Sequence, residues 1–329
     1  MEPIPIHYDC DPGQDDAIAL LYALGSPKID VRSITVVGGN IDVFQCSRNA
    51  LQILELANRF DIPVYIAAKG PLERPLISLP EVFGLSGMAG AEDLPEPKSK
   101  AITIDAATQF SSIVKERILV ATGPLTNLAL QIQTQSSFPN QIDHLYIMGG
   151  CPFPEPVRGR MGNYKIPGTE DYAEYNFVVD PEAAKIVFQA SFKKITLIGL
   201  NVTRTLLYNK NIDAALREQN NIFTSRAADI LSSLGEDDVE DYGHLRETPE
   251  DPVRAIHDVV AMAALDAPEL FEFEEVPLYI SADSNIAPIG QSLIDPVNFD
   301  HSHVRVAKTI NKAAFIERMI ENIRNIRCL

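Results

Sequence analysis

The sequence predicts an α/β fold, a doubly wound and mostly parallel sheet with long loops over the active-site face, and three observations carry that prediction. Short apolar runs of strand length alternate with apolar residues at helical spacing, which implies parallel strands joined by crossover helices. The polar clusters fall just after the apolar runs, at the carboxyl ends of strands where such sheets bind ligands. No linker or composition shift interrupts the 329 residues, so residues 1–329 read as one large unit.

The elements follow in order. Ile4 to Tyr8 forms a first apolar run, Asp9 to Asp16 an acidic turn, and Ala17, Ile18, Leu20, Leu21 and Leu24 recur at helical spacing up to Gly25. Ile29 to Val37 reads as a buried strand, Gly38-Gly39 as a turn and Phe44 to Leu56 as a helix. Apolar segments at Ile118 to Ala121, Leu145 to Met148 and Ile195 to Ile198 continue the pattern, and Glu275 to Asp295 adds edge strands. Gly70 to Lys100 and Cys151 to Tyr175, both studded with prolines, read as long ordered loops. Glu236 to Asp251 holds eight acids in sixteen residues and reads as a lid.

Composition narrows the function. Hydrophobic residues make up 46% of the chain, and mean hydropathy is near zero, as in packed soluble proteins. The 45 acidic against 28 basic residues give a net charge of −17. That charge repels a phosphate backbone, so nucleic acid is excluded as a partner, and a small neutral substrate or a metal cation fits better. The N-terminal residues carry neither a basic region nor a long apolar core, so no secretory signal or membrane span is expected and the cytoplasm is the expected address. Cys10, Cys46, Cys151 and Cys328 are widely separated, which argues against a disulfide framework or a thiolate metal site.

Asp9, Asp11, Asp15 and Asp16 place four carboxylates within eight residues, with no lysine or arginine from Glu2 up to Lys28. Crowded, partly buried carboxylates raise each other's pKa and call for a cation. Oxygen donors without cysteine or a histidine cluster select calcium or magnesium over zinc. The competing structural reading makes Asp15 and Asp16 helix-dipole acids and leaves Asp9 and Asp11 solvated. A metal-dependent phosphohydrolase with Asp9 or Asp11 as nucleophile also begins with an aspartate pair, but Pro12-Gly13-Gln14 fits its turn poorly.

The run Asp9-Cys10-Asp11-Pro12-Gly13-Gln14-Asp15-Asp16 resembles the N-terminal signature of the inosine-uridine type nucleoside hydrolases. The resemblance continues, in order, through Val37-Gly38-Gly39-Asn40, Thr122-Gly123-Pro124-Leu125-Thr126-Asn127, Met148-Gly149-Gly150, Ala173-Glu174-Tyr175-Asn176, Asp180-Pro181-Glu182-Ala183, Ile256-His257-Asp258 and Ile289-Gly290-Gln291 with Asp295. It implies hydrolysis of a ribonucleoside to free base and ribose through an oxocarbenium-like state. It implies Ca2+ held by Asp11, Asp16, Asp258 and the Thr122 carbonyl, with Asp11 also the base that deprotonates the calcium-bound water. Asp15 and Asn176 are implied on the ribose 2′-hydroxyl, Asp258 on the 3′-hydroxyl, and Asn163 with Glu174 on the 5′-hydroxyl. Met148 is implied to pack on the sugar and Asn40 to orient the base. His257, and Tyr242 or His244 from the lid, are candidate donors of a proton or hydrogen bond to the departing base, with plain surface residues the competing reading for Tyr242 and His244. A homodimer or homotetramer is also implied.

Plainer roles compete for several of these residues: Thr126, Asn127 or Asn176 as helix caps, and His257-Asp258 as the start of the amphipathic run Val259 to Leu265. The chain also departs from the family. Phe83 stands where relatives often carry histidine, Asn201 where many carry aspartate, and extra residues around Tyr164 to Thr169 precede Glu174. The absence of tryptophan argues against a purine-only enzyme that stacks the base on indoles. A non-catalytic relative that binds calcium and ribosides is the remaining alternative.

Overall fold

The computed structural model describes residues 2–233, 253–285, 287–294 and 303–327. The acidic segment Glu236 to Asp251, with Tyr242 and His244, lies outside them, as do Asp295 and Cys328. Among the described residues the strands are β1 (Ile4–Cys10), β2 (Ile29–Val36), β3 (Val64–Ile66), β4 (Ile102–Thr103), β5 (Ile118–Ala121), β6 (His144–Met148), β7 (Tyr164–Lys165), β8 (Tyr172–Ala173), β9 (Ile195–Ile198), β10 (Leu207–Tyr208), β11 (Arg254–Ala255), β12 (Phe271–Ile280), β13 (Ser292–Ile294) and β14 (His303–Ile310).

The main sheet has the order β13-β12-β14-β9-β6-β5-β1-β2-β3-β4. Every neighbour pair from β14 across to β4 is parallel, while β12 pairs antiparallel with β13 and β14. The expected edge strands are therefore present; they run antiparallel and start earlier than expected, at Phe271. The chain leaves β1 toward β2, β3 and β4 on one side and later returns to lay β5 on the other. That reversal opens a crevice at the carboxyl ends of β1 and β5.

Both faces of the sheet are covered, which explains why its strands are apolar runs and not alternating ones. Ile6, Tyr8 and Cys10 of β1 enter a core with Ile18, Leu21, Ala261 and Phe315. On the opposite face Leu119, Leu145 and Leu197 pack with Phe110, Leu128, Phe138 and Val187. His7 points to this second face, its ring edge-on to Phe110 at 5.5 Å.

The two proline-rich stretches are less irregular than a loop reading implies. Gly70 to Lys100 contains a short helix at Pro80–Phe83, although the side chain of Phe83 lies outside the described set. Cys151 to Tyr175 contains the antiparallel ribbon β7–β8. Asn201 does not reach the cleft. Its amide donates to the Ala307 carbonyl at 2.9 Å, tying the helix Leu200–Thr203 to β14, a bond that aspartate could not donate. Among the described residues no helix is long and apolar enough to cross a membrane.

Candidate active site

One cleft at the β1/β5 crevice is lined by Asp11, Asp15, Asn40, Thr122, Met148, Asn163, Glu174, Asn176, His257 and Asp258. It encloses about 860 Å3 of atom-free space, its open mouth included. Residues spread over most of the chain thus share one wall. Asp16, the remaining candidate, lies directly beneath.

Asp11 leaves the end of β1, where its Oδ2 accepts the Asn40 backbone N–H at 2.7 Å. Its carboxylate fits because Gly39 and Gly123 carry no side chain. A Cβ on Gly123 would come within 2.6 Å of Asp11 Oδ1, and one on Gly39 would collide with Oδ2. Asp16, in the first turn of the helix Gln14–Gly25, accepts from the Thr122 hydroxyl at 2.8 Å and Tyr8 at 3.3 Å through Oδ1. Its Oδ2 accepts from Gly13 N at 3.1 Å and Asn40 Nδ2 at 3.3 Å. Asn40 also donates Nδ2 to the Asp11 carbonyl at 3.0 Å, so its amide braces both aspartates. Asp258 begins the helix Val259–Asp266 without capping it through its side chain.

Burial pushes the Asp11 carboxyl well above its ordinary range, and the charge of Asp16 pushes it further. Asp258 is raised by burial and then by Asp16, Asp15, Asp11 and Glu174. Burial lifts Asp16 to about 6 despite its hydrogen bonds. Asp15 is raised by burial against the opposing pull of Arg254, whose guanidinium is 3.5 Å away. Among the described residues no three His, Cys, Asp or Glu side chains close into a finished ligand cage. What stands here is an all-oxygen set under mutual repulsion, which a hard cation would relieve.

The competing cap roles resolve residue by residue. The helix Tyr175–Val179 is capped by Glu174, not Asn176; Asn176 instead donates Nδ2 to the carbonyls of Thr122 at 2.8 Å and Met148 at 3.3 Å. Thr126 and Asn127 do not cap the helix Thr126–Thr134. Thr126 donates to Asp180 at 2.6 Å, and Asn127 donates to Asp9 and accepts from Ala68 N, both at 2.8 Å.

Glu174 Oε1 accepts from Asn176 N at 3.0 Å, and Oε2 from Gly150 N at 2.9 Å and Phe177 N at 3.1 Å. Burial still raises it to about 7. Asn163 Oδ1 accepts Tyr175 N at 3.1 Å. The extra residues before Glu174 form the ribbon β7–β8, which sets Tyr164 on the cleft wall edge-on to Tyr175 at 5.8 Å.

His257 Nδ1 meets the Thr203 hydroxyl at 2.9 Å. Burial, with Arg204 and Arg254 adding repulsion, lowers its pKa to about 3, so the ring is neutral near pH 7 and can offer a hydrogen bond but holds no extra proton. The reading from sequence missed Tyr8, Leu79, Val82, Tyr164, Tyr175, Arg204 and Arg254 as cleft or supporting residues. Tyr8 was visible as the strand residue before Asp9; the others lie in loops or in elements too short for periodicity to reveal.

The parallel sheet, the switch-point cleft and its acids define a protein of the nucleoside hydrolase class. The family described as inosine-uridine preferring nucleoside hydrolase matches residues 6–317, and the chain belongs to it. Similar proteins include the pyrimidine-specific ribonucleoside hydrolases RihA of Photobacterium profundum, 33% identical over 98% of this chain and 99% of that one, and of Escherichia coli, 35% identical over 98% of each. Among solved structures, a purine-preferring ribonucleoside hydrolase from Gardnerella vaginalis superposes with a TM-score of 0.81 at 25% identity over 98% of both chains. The plant nucleoside hydrolase PpNRh1 gives 0.78 at 25% identity over 98% of this chain and 99% of that one.

Proposed function

We propose that this protein hydrolyses the N-glycosidic bond of ribonucleosides with calcium held by Asp11, Asp16, Asp258 and the Thr122 carbonyl. The observation that carries the reading is the convergence in one buried cleft of acids from β1, its following helix and the 257–258 turn, with no cysteine among them. Calcium there would offset the carboxylate charge, acidify water and orient the ribose diol.

The protein's own groups do the rest. Asp11, fixed by Asn40 and the two glycines, takes a proton from the attacking water. Asp15 and Asn176 hold the 2′-hydroxyl, Asp258 the 3′-hydroxyl, and Asn163 and Glu174 the 5′-hydroxyl, while Met148 packs on the sugar. Positive charge growing at C1′ is met by the acidic floor. Asn40 orients the base, and neutral His257 gives it a hydrogen bond. Pyrimidine ribonucleosides are the favoured substrates, on the strength of the relatives' printed specificity. A cytoplasmic address agrees with the free, buried Cys10, Cys46 and Cys151.

The test is to incubate uridine, cytidine, inosine and adenosine separately with protein in calcium and in excess chelator, measuring free base and reducing sugar. The reading requires calcium-linked release of both. It also requires that Asp11→Ala, folded by circular dichroism, lose at least about 10²-fold in kcat/KM. Full activity in that variant, or calcium and riboside binding without turnover on any nucleoside, would defeat it.

A further inference from the structure

We infer that Tyr8 is a positioning residue for the metal site: its phenol hydroxyl aims the Thr122 hydroxyl at Asp16 and so holds two calcium ligands from different elements together. Asp16, through its carboxylate, and Thr122, through its carbonyl, belong to the ligand set proposed above, on which this inference rests.

Tyr8 lies in β1 and is fully buried, in the core that also holds Ile18 and Ala261. Its hydroxyl is 2.9 Å from Thr122 Oγ1 and 3.3 Å from Asp16 Oδ1. Thr122 Oγ1 in turn donates to Asp16 Oδ1 at 2.8 Å. These three oxygens form a triangle, and one proton per hydroxyl settles the directions within it. The Thr122 proton goes to the carboxylate, which only accepts when ionised. The proton across the 2.9 Å contact is therefore that of Tyr8. Only a longer and weaker branch of it reaches Asp16.

Two hydroxyls thus donate in series toward one carboxylate, an arrangement in which each bond strengthens the next. The weak branch is the contact that Asp16 can exchange for a cation without stranding Tyr8, whose bond to Thr122 remains. The backbone of Thr122 is fixed independently: its N–H donates to the Asp9 carbonyl at 3.0 Å, and its carbonyl accepts Asn176 Nδ2 at 2.8 Å. What Tyr8 adds is a tie between the residue after β5 and the first turn of the helix Gln14–Gly25. An apolar core residue would need no such hydroxyl, and burying one is costly unless it is bonded. Here both of its partners are members of the ligand set.

The test is calorimetric titration of calcium into chelator-treated, dialysed protein, comparing wild type with Tyr8→Phe, Thr122→Val and the double variant. Urea stability without calcium is measured on each. Tyr8→Phe keeps the ring and removes only the hydroxyl, and it should weaken calcium binding about tenfold or more. In the Thr122→Val background the same change should cost less than about threefold, because the phenol acts through the Thr122 hydroxyl. A merely structural role would lower the calcium-free stability and leave the affinity where it was. Unchanged affinity in Tyr8→Phe, or an equal loss in both backgrounds, overturns the inference. Should Tyr8→Phe fail to fold, Thr122→Ser and Thr122→Val decide: the serine variant should bind at least about fivefold more tightly than the valine variant, and equal affinities overturn the inference. A silent Tyr8→Phe beside a wild type that binds calcium leaves the hydrolase reading intact. A wild type that binds no calcium removes the proposed ligand set, and the role of Tyr8 falls with it.

Discussion

Asp9 and Asp11 stand two residues apart on one strand end and have different surroundings. Asp11 faces the cleft, whereas Asp9 is fully buried, accepting hydrogen bonds from Thr35 and Asn127. Burial outweighs those bonds and raises Asp9 to about 7. A carboxyl with a raised folded pKa contributes stability that is present below its unfolded value and lost as pH rises through the folded value. Asp9→Asn stays neutral throughout. In chelator-treated protein, its stability relative to wild type should therefore rise between pH 4 and pH 7, by at most about 4 kcal/mol. Urea titrations at each pH check this, and a relative stability that falls with pH would contradict it. The sequence displayed all four aspartates as one cluster. It could not separate Asp9 from Asp11, because their difference lies in Thr35 and Asn127, which the fold supplies from other elements.

The turns after β2 and β5 matter as much as the acids they approach. Gly39 and Gly123 close on the two oxygens of Asp11, so a methyl group at either site must displace that carboxylate. Gly39→Ala should weaken calcium binding at least about tenfold with the fold unchanged, as read by calorimetry and circular dichroism; wild-type affinity would show that the turn has room to spare. Between the helix Leu200–Thr203 and β14, Asn201→Asp removes the donor to the Ala307 carbonyl. A loss of about 1–3 kcal/mol in urea is expected, and no loss would mean the bond is dispensable. These elements were unequally legible. The long buried strands and the helices Gln14–Gly25 and Val43–Leu56 announce themselves by apolar spacing. The two-residue strands β4, β7, β8, β10 and β11 are too short for any periodicity and depend on their partners for definition. The ribbon β7–β8 was visible only as added length, and its effect, Tyr164 on the cleft wall, needed coordinates.

For the molecule as a whole, the switch in strand order around β1 determines where chemistry happens. It brings the carboxyl ends of β1, β5 and β6 together, so motifs far apart in the chain, from Asp11 to Asp258, meet in one cleft. Their order was legible as a family resemblance. That Arg204 and Arg254 line the same cleft as these acids was not, since the arginines belong to no motif. The central claim is that water attacks ribose C1′ and the base leaves intact. Its most direct test is turnover of uridine in 18O-labelled water with calcium present, followed by mass spectrometry of both products. The account predicts one 18O in the ribose and none in the uracil; label in the uracil, or products formed without label in the ribose, would contradict it.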